Sequence, residues 1–175
     1  NKINCDHYMS HITWKAMREK TNFNLKIKTV QGNMQDLSIF EDESFDCIIH
    51  PWSNGYIDDV KPVWKECARV LKKNGTLLAG FGNPIEYIFN AGKLEQGVFA
   101  VENTIPYADI EHMDDPETRE IVESGGYLWS HTLEEQITGQ LKVGFTLLDL
   151  YEDTNGVGRL HELNIPSFIA TKSIK

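Results

Sequence analysis

The sequence has few of the residues that mark several large classes of protein. Only three of its 175 residues are cysteines, Cys5, Cys47 and Cys67, and this odd number favours a reducing compartment over a disulfide framework. No apolar run approaches the roughly 20 residues that a membrane-spanning helix needs. The start lacks the basic and then apolar pattern of a secretory signal. These absences predict a soluble, cytoplasmic protein that does not enter a membrane.

Positive charge is also scarce. The chain carries 17 basic and 26 acidic residues, which gives a net charge of −9. Nucleic acid is therefore not expected as a partner, because contacts to phosphate need clustered lysine and arginine. A hydrophobic content of 41% in a chain of this length supports one core but not two, so we expect a single domain over residues 1–175.

The most regular pattern lies between residues 30 and 83. Residues 45–50 and 76–82 are apolar runs without alternation, which is typical of strands covered on both faces in a parallel sheet. The segment between them predicts a helix with one buried face, so the three elements should form a right-handed β-α-β unit. The apolar residues at helical spacing are Val60, Val63, Trp64, Cys67 and Leu71.

The ends of this helix are also marked. Asp58 and Asp59 suit the positive end of a helix dipole, and Pro62 falls in the first turn, where proline is tolerated. Residues 72–75, with the sequence Lys-Lys-Asn-Gly, predict a basic last turn that ends at a left-handed residue.

Four segments then follow one another in a recognisable order. They are Gly-Asn-Met-Gln-Asp-Leu from Gly32, Phe-Asp-Cys-Ile-Ile-His-Pro from Phe45, Arg-Val-Leu-Lys-Lys-Asn-Gly from Arg69 and Thr-Leu-Leu-Ala-Gly-Phe from Thr76. This order resembles the second half of a class I S-adenosylmethionine-dependent methyltransferase, of the small-molecule type found in ubiquinone and menaquinone biosynthesis. The resemblance covers about residues 17–175 and implies a Rossmann-like α/β fold whose sheet is mostly parallel.

The same resemblance implies an activity and the arrangement of the last two strands of the sheet. The activity is methyl transfer from S-adenosylmethionine to a small-molecule acceptor by direct displacement, which needs no nucleophilic side chain, so no catalytic residue is assigned. The family ends its sheet with an antiparallel pair of strands, which we expect at residues 145–152 and 167–175. The last of these carries Lys172 and Lys175, which fits an exposed edge protected by charge.

One landmark of the family is missing on the N-terminal side. The family places a Gly-rich loop after its first, central strand, and no Gly-x-Gly precedes Gly32. We therefore expect a partial domain whose N-terminal central strand is absent. The strand at residues 45–50 would then be unpaired on one side, which predicts either an upstream segment or pairing with a second chain as a homodimer.

The resemblance assigns the adenine of the cofactor to the Gly-Asn-Met-Gln segment. The Asn33 side chain would bond the adenine amino group and the Met34 backbone N–H would meet a ring nitrogen, with Gly32 and Gln35 beside them. The family more often has Asp at this position, but Asn keeps a carbonyl acceptor. An ordinary turn after a strand at residues 25–30 would explain the same residues.

Other cofactor contacts are expected after the next strand and near the start of the chain. By resemblance, His50 and Pro51 would wall the methionine part of the cofactor; a histidine pKa near neutrality also makes His50 a candidate general base. Asp6 would hold the ribose hydroxyls, although His7 competes for that place and Asp6 also suits a helix N-cap. His7 and His11 have the spacing of metal ligands on a helix, but without a third ligand we expect no metal.

Candidates for the acceptor side come from two segments. Trp52 and Tyr56 are candidates either for the pocket wall or for ordinary packing. In proteins of this likeness a His-Thr-Leu-Glu-x-Gln stretch faces the mouth of the active site, so His131 and Gln136 are candidates for contacts with the acceptor.

The same stretch predicts the start of a helix. Thr132 and Glu135 fit a capping box, and capping alone explains both. Leu133, Ile137 and Leu141 predict an apolar stripe along the helix, which should end near Gly144.

Residues 84–128 form a long acidic excursion. From residue 90 to residue 130 there are nine acidic residues against two basic ones, and this surplus accounts for most of the net charge. Short strands are expected at residues 98–101 and 104–107. Long connections often act as lids or binding loops, so we expect a lid over the substrate; a solvated acidic flap explains the charge equally well.

Two other functions are compatible with the sequence. A binding or scaffold module that keeps a methyltransferase fold would explain the missing Gly-rich loop and the Asn at position 33, because fold alone does not settle function. A nucleotide-dependent dehydrogenase of similar layering would need its own Gly-rich fingerprint, and it explains the His50-Pro51 loop less well.

Overall fold

A mixed four-stranded sheet forms the centre of the molecule. The computed structural model describes Val30 and residues 32–175. The strands are β1 (Phe45–Pro51), β2 (Leu71–Gly82), β3 (Tyr107–Ala108), β4 (Trp129–Ser130), β5 (Thr146–Asp153) and β6 (Phe168–Ile174). The main sheet has the order β1-β2-β6-β5, and β3 and β4 form a separate pair.

Short helices connect these strands. They are α1 (Lys61–Val70), α2 (Ala91–Glu95), α3 (Pro116–Gly125), α4 (Gly139–Lys142) and α5 (Gly158–Glu162). Three-ten turns lie at Ser53–Tyr56, Pro84–Ile88 and Asp109–Glu111, and a π-helical turn, Glu134–Thr138, leads into α4. Within the described residues, no helix is long and apolar enough to cross a membrane.

The strand pairing agrees with the expected α/β class. β1 runs parallel to β2, with His50 opposite Ala79, while β6 is antiparallel both to β2 and to β5. The predicted antiparallel pair at the C-terminal end is therefore confirmed. Among the described strands, none pairs with the other edge of β1.

The prediction that the last strand is an exposed edge is wrong. β6 lies between β2 and β5, and β5 is the edge strand. The reason is visible in the burial of β6, whose alternate side chains Ile169, Thr171 and Ser173 are buried. β5 is exposed and carries Asp149, Glu152 and Asp153, so the charged edge that discourages pairing with other chains belongs to β5.

The predicted β-α-β unit is confirmed. α1 joins β1 to β2, and the Asp59 carboxylate accepts the backbone N–H of Lys61 at 2.9 Å where the helix begins. Pro62 lies in the first turn. All five residues of the predicted stripe are buried, and they pack with Phe45 and Leu77 in one core. Burial of this stripe fixes the helix on one face of the sheet.

The predicted end of the helix needs correction. α1 ends at Val70, so Lys72 and Lys73 belong to β2 and not to a basic last turn. A left-handed residue does lie in this segment, and it is Asn74, with φ of 62°. Gly75 meets a different need, because a Cβ atom there would lie 2.7 Å from Leu71 Cγ.

The acidic excursion contains more regular structure than its sequence predicts. The strand expected at residues 98–101 is reduced to a single bridge between Val101 and Phe89, and the one expected at residues 104–107 is displaced to β3. α3 lies in the stretch for which no helix is predicted. Asp115 caps α3 by accepting the Thr118 N–H at 2.9 Å, and this hydrogen bond lowers the pKa of Asp115.

Some predictions fall outside the described residues. These are the ribose contact at Asp6, its competitor His7, the pair of His7 with His11, and the strand at residues 25–30 apart from Val30. In the described part of the chain, no group of three or more His, Cys, Asp or Glu is arranged to hold a metal ion.

Candidate active site

A cleft that is open to solvent lies between a loop and strand β1. Met34 and Leu37 belong to the loop, and Ile49, His50 and Pro51 belong to the C-terminal half of β1. Two of the predicted cofactor segments therefore border the same cleft. The remaining lining residues are Phe40, Phe45, Cys47, Ile48, Val63, Cys67 and Val70.

The loop before this cleft is held in a tight turn. The Asn33 Oδ1 atom accepts the backbone N–H of Gln35 at 2.9 Å, and Gln35 Nε2 donates to the backbone oxygen of Asp59 at 2.8 Å. Asn33 and Gly32 are exposed. A carbonyl oxygen has two lone pairs, so Asn33 keeps one acceptor position for a ligand.

Two charged residues on α1 fix the same loop, and sequence reasoning missed both. Arg69 donates to the backbone oxygens of Leu37 at 2.8 Å and Phe40 at 2.9 Å. Glu66 accepts the Leu37 N–H at 2.7 Å and pairs with Arg69 at 2.8 Å. The hydrogen bond from Arg69 lowers the pKa of Glu66. The signal in the sequence is an acid–arginine pair three positions apart, which by itself indicates only a helix surface.

The opposite wall of the cleft is connected to a buried polar network. His50 Nε2 lies 2.6 Å from Asn54 Oδ1, and Asn54 Nδ2 donates to Gln136 Oε1 at 2.7 Å. Because Asn54 uses its amide nitrogen on Gln136, its oxygen accepts, and His50 Nε2 therefore carries a hydrogen. His131 Nε2 also donates to the backbone oxygen of Asn54, at 3.0 Å.

His50 is held in an environment that disfavours charge. The side chain is buried and lies edge to face against Trp64, with ring centroids 5.7 Å apart. Burial lowers the pKa of His50, and the hydrogen bond to Asn54 opposes this only in part. His50 is therefore a neutral imidazole near pH 7, a state compatible with either a cofactor wall or a base.

Sequence comparison gives a family for this arrangement. Residues 2–79 match a family model described as a methyltransferase domain. The Uncharacterized methyltransferase YbaJ of Bacillus subtilis (strain 168) is 44% identical over 152 residues, which are 86% of this chain and 59% of that protein. The chain thus spans 59% of the length of the curated relative that it matches.

Solved structures share the fold. An S-adenosylmethionine-dependent methyltransferase from Mesorhizobium loti superposes with a TM-score of 0.68 and 14% identity, over 95% of this chain and 77% of that one. Another S-adenosylmethionine-dependent methyltransferase, from Methanosarcina mazei, superposes with a TM-score of 0.62 and 15% identity, over 98% of this chain and 80% of that one. The chain therefore has the fold of the class I methyltransferases.

The predicted acceptor-side residues have structural partners. The capping box is confirmed, because Glu135 Oε2 accepts the Thr132 N–H and Thr132 Oγ1 accepts the Glu135 N–H, both at 3.1 Å. His131 and Gln136 are buried and contact Asn54, so the structure brings them to the loop after β1.

The predicted apolar stripe after the capping box is wrong. Leu133 and Leu141 are 42% and 45% exposed, and the buried face carries Gln136 and Gln140. Gln140 Nε2 donates to the backbone oxygen of Gln136 at 3.0 Å, and Gln140 Oε1 accepts from Ser173 Oγ at 2.9 Å. The cause is the π-helical turn, whose wider repeat moves the buried face away from the positions that a 3.6-residue spacing predicts.

Trp52 lies at the carboxyl ends of β1 and β2. Its backbone is left-handed, with φ of 51°, and its N–H donates to Gly80 at 2.7 Å. Its ring packs edge to face on Phe168, with centroids 5.7 Å apart, and a Cβ atom at Gly82 would lie 3.3 Å from its Nε1. These contacts show that Trp52 packs over the ends of β2 and β6.

Tyr87 brings the acidic excursion to the same end of the sheet. Its ring lies close to Gly82 and its hydroxyl close to Gly55, in the turn that ends at Tyr56. Burial raises the pKa of Tyr87, so the phenol stays protonated. Tyr107 of β3 lies beside it, with ring centroids 5.7 Å apart, so part of the excursion covers the loop that follows β1.

Proposed function

We propose that the protein containing this chain transfers a methyl group from S-adenosylmethionine to a small-molecule acceptor, by direct displacement, in the cytoplasm. The observation that carries this proposal is that Met34 and His50 line one cleft, which runs along β1 as far as Pro51 at its carboxyl end. In open α/β sheets, ligands bind outside the carboxyl ends of the strands. The donor would therefore occupy this cleft.

The chemistry of the cleft supports this choice of donor. Among the described residues that line it there is no Asp, Glu, Lys or Arg, and most are apolar. Such a surface suits an adenosyl group, and it places no fixed cation beside a positively charged sulfonium. His50 is the lining residue that can acquire a positive charge, and burial keeps it neutral.

We assign the donor contacts as the family resemblance implies. Gly32, Asn33, Met34 and Gln35 would hold the adenine, with Asn33 using its second lone pair. His50 and Pro51 would wall the methionine part. Asp6 is the proposed ribose contact.

The acceptor would lie on the side of Trp52 and Tyr56, under the excursion, which we propose acts as a lid. His131 and Gln136 bond to Asn54. We therefore assign them to positioning the loop after β1 and not to direct contact with the acceptor.

The chain would contribute orientation and shelter from water. S-adenosylmethionine supplies the electrophilic methyl group, so the residues around the cleft need only align the acceptor atom with it and exclude solvent. Arg69 and Glu66 hold the adenine loop, and Asn54 holds the His50 wall. Such preorganisation is the main source of rate in a direct displacement.

A binding module without catalysis is the second candidate. The observation in its favour is that the Asn33 carbonyl, which would meet the adenine, already accepts the Gln35 N–H. In that case the full-length protein would bind the cofactor weakly or not at all.

Isothermal titration of the full-length protein with S-adenosylmethionine and S-adenosylhomocysteine tests the proposal. We expect binding of both, and Ile49→Lys should weaken it, because Ile49 lines the cleft and is 53% exposed. Leu148→Lys is the matched control, since Leu148 is 55% exposed on β5, away from the cleft. No heat with either ligand, or equal losses in the two variants, would contradict the proposal.

A further inference from the structure

The cleft is lined by a single histidine, His50. Buried side chains on the far side of its ring, Asn54 and Gln136, orient it. His50 is the only His, Lys or Arg among the described lining residues. A donor with a sulfonium differs from its product, a thioether, by one positive charge at sulfur. A positive charge on His50 would therefore weaken the binding of the sulfonium donor but not the binding of the thioether product.

The network behind His50 sets both its orientation and its hydrogen. Asn54 is 1% exposed and Gln136 is 3% exposed. Asn54 Nδ2 donates to Gln136 Oε1, so Asn54 Oδ1 faces His50 Nε2 and accepts its hydrogen. The side chain of Gln140 continues the network to Ser173 in β6.

We propose that Asn54 and Gln136 are positioning residues that orient His50 through its Nε2–H, that burial against Trp64 keeps this imidazole uncharged, and that this uncharged wall is what lets the cleft bind a sulfonium donor rather than only its thioether product. The inference rests on the proposed function. A charged His50 would repel the sulfonium at short range but would leave the thioether sulfur unaffected.

Few other charges act on this ring. β2 places Ala79 opposite His50, α1 contributes Trp64 and the cleft-lining Cys67, and His131 reaches it only through Asn54. The charged groups of α1 are Lys61, which lies 3.8 Å from Glu135 of the π-helical turn, the exposed Lys65, and Glu66 and Arg69, which pair with each other at 2.8 Å. His131 is thus the titratable group whose contribution has to be separated from that of His50.

The test compares the two ligands on the full-length protein. Dissociation constants for S-adenosylmethionine and S-adenosylhomocysteine are measured by titration calorimetry between about pH 8 and about pH 5. The ligands share their amino and carboxyl groups, so the ratio of the two constants isolates the sulfonium. At about pH 5 we expect the affinity for S-adenosylmethionine to fall by at least about tenfold relative to the affinity for S-adenosylhomocysteine. Retained binding of the product at that pH shows that the fold is intact.

Two variants assign the effect. His50→Gln should bind both ligands with a ratio that no longer changes with pH, whereas His131→Gln should keep the change. A ratio that is flat in the wild type, or that changes equally in His50→Gln, overturns the inference while leaving the proposed function in place. Binding of neither ligand overturns both.

Nitrogen-15 NMR of the histidines gives a second readout that does not need a folded His50 variant. His50 should show hydrogen on Nε2 in the neutral form. It should take up its second proton at lower pH with S-adenosylmethionine bound than with S-adenosylhomocysteine bound. The reason is that protonation of His50 and binding of the sulfonium weaken each other reciprocally. Hydrogen on Nδ1, or the same midpoint in the two complexes, overturns the inference.

Discussion

Asn54 Nδ2 donates a 2.7 Å hydrogen bond to Gln136 Oε1 across 82 positions of the sequence. Both side chains are buried. This contact joins the turn after β1, which borders the cleft, to the helical segment after the acidic excursion. The wall of the candidate donor site and the C-terminal half of the domain therefore share a buried polar contact. Loss of this contact should destabilise both segments.

Asn54→Ala should lower the free energy of unfolding by about 2–4 kcal/mol, because it leaves His50 and Gln136 buried without their partner. Urea denaturation measures this change. Asn155→Ala is the matched control, since Asn155 is exposed and accepts only the Val157 N–H at 3.2 Å; we expect it to stay within about 0.5 kcal/mol of the wild type. Equal losses in the two variants would show that the network contributes nothing.

Arg69→Gln should weaken the binding of S-adenosylhomocysteine by about tenfold, because the adenine loop loses the donor that holds its carbonyl oxygens and must be ordered on binding. Titration calorimetry measures the affinity. Arg159→Gln is a close control, because it removes an ion pair of the same 2.8 Å length and the same three-residue spacing. The idea fails if Arg69→Gln binds as tightly as Arg159→Gln.

The stability of the protein should fall between about pH 7 and about pH 5, and His50→Gln should reduce that fall. Burial lowers the pKa of His50 in the folded state, so below the ordinary histidine pKa the unfolded chain takes up a proton first and unfolding is favoured. Above that pKa both states are neutral and His50 has no effect. Denaturation at several pH values measures the slope, and an unchanged slope in His50→Gln contradicts the assignment.

Gly82→Ala should destabilise the protein by about 1–3 kcal/mol. The new Cβ atom would lie 3.3 Å from Trp52 Nε1 and 3.7 Å from Tyr87 Cε2, so the rings at the end of β2 must move. Gly80→Ala is the matched control on the same face of the strand, where the nearest atom would be 3.9 Å away. Near-ultraviolet circular dichroism should change in the first variant only; the same spectrum in both would show that Trp52 is not constrained there.

Much of the fold was predictable because its signals are local. The stripe containing Val63 and Trp64 has the period of a helix, and it is buried as expected. The capping box at Thr132 needs only three residues of separation. Met34 in the loop and His50 in β1 were both predicted to contact the cofactor, and both line the same cleft.

The wrong predictions concern side chains whose burial depends on partners that are distant in the sequence. Leu133 and Leu141 have helical spacing, but a π-helical turn places Gln136 and Gln140 on the buried face. These glutamines are buried at low cost because Asn54 and Ser173 satisfy them. Nothing in the spacing of a glutamine tells whether such a partner exists, because burying a polar group is favourable only with that partner in place.

The amino-acid sequence by itself determined the β-α-β unit, the antiparallel strands at the end and the α/β fold class, because hydrophobic period, capping and motif order are properties of neighbouring residues. The tertiary structure alone decided that β6 is internal, that Arg69 holds the loop of Leu37 and Phe40, and that His50, Asn54 and Gln136 meet. Those contacts depend on how strand order and helix packing place distant residues side by side, and a hydrogen bond depends on the positions of both partners.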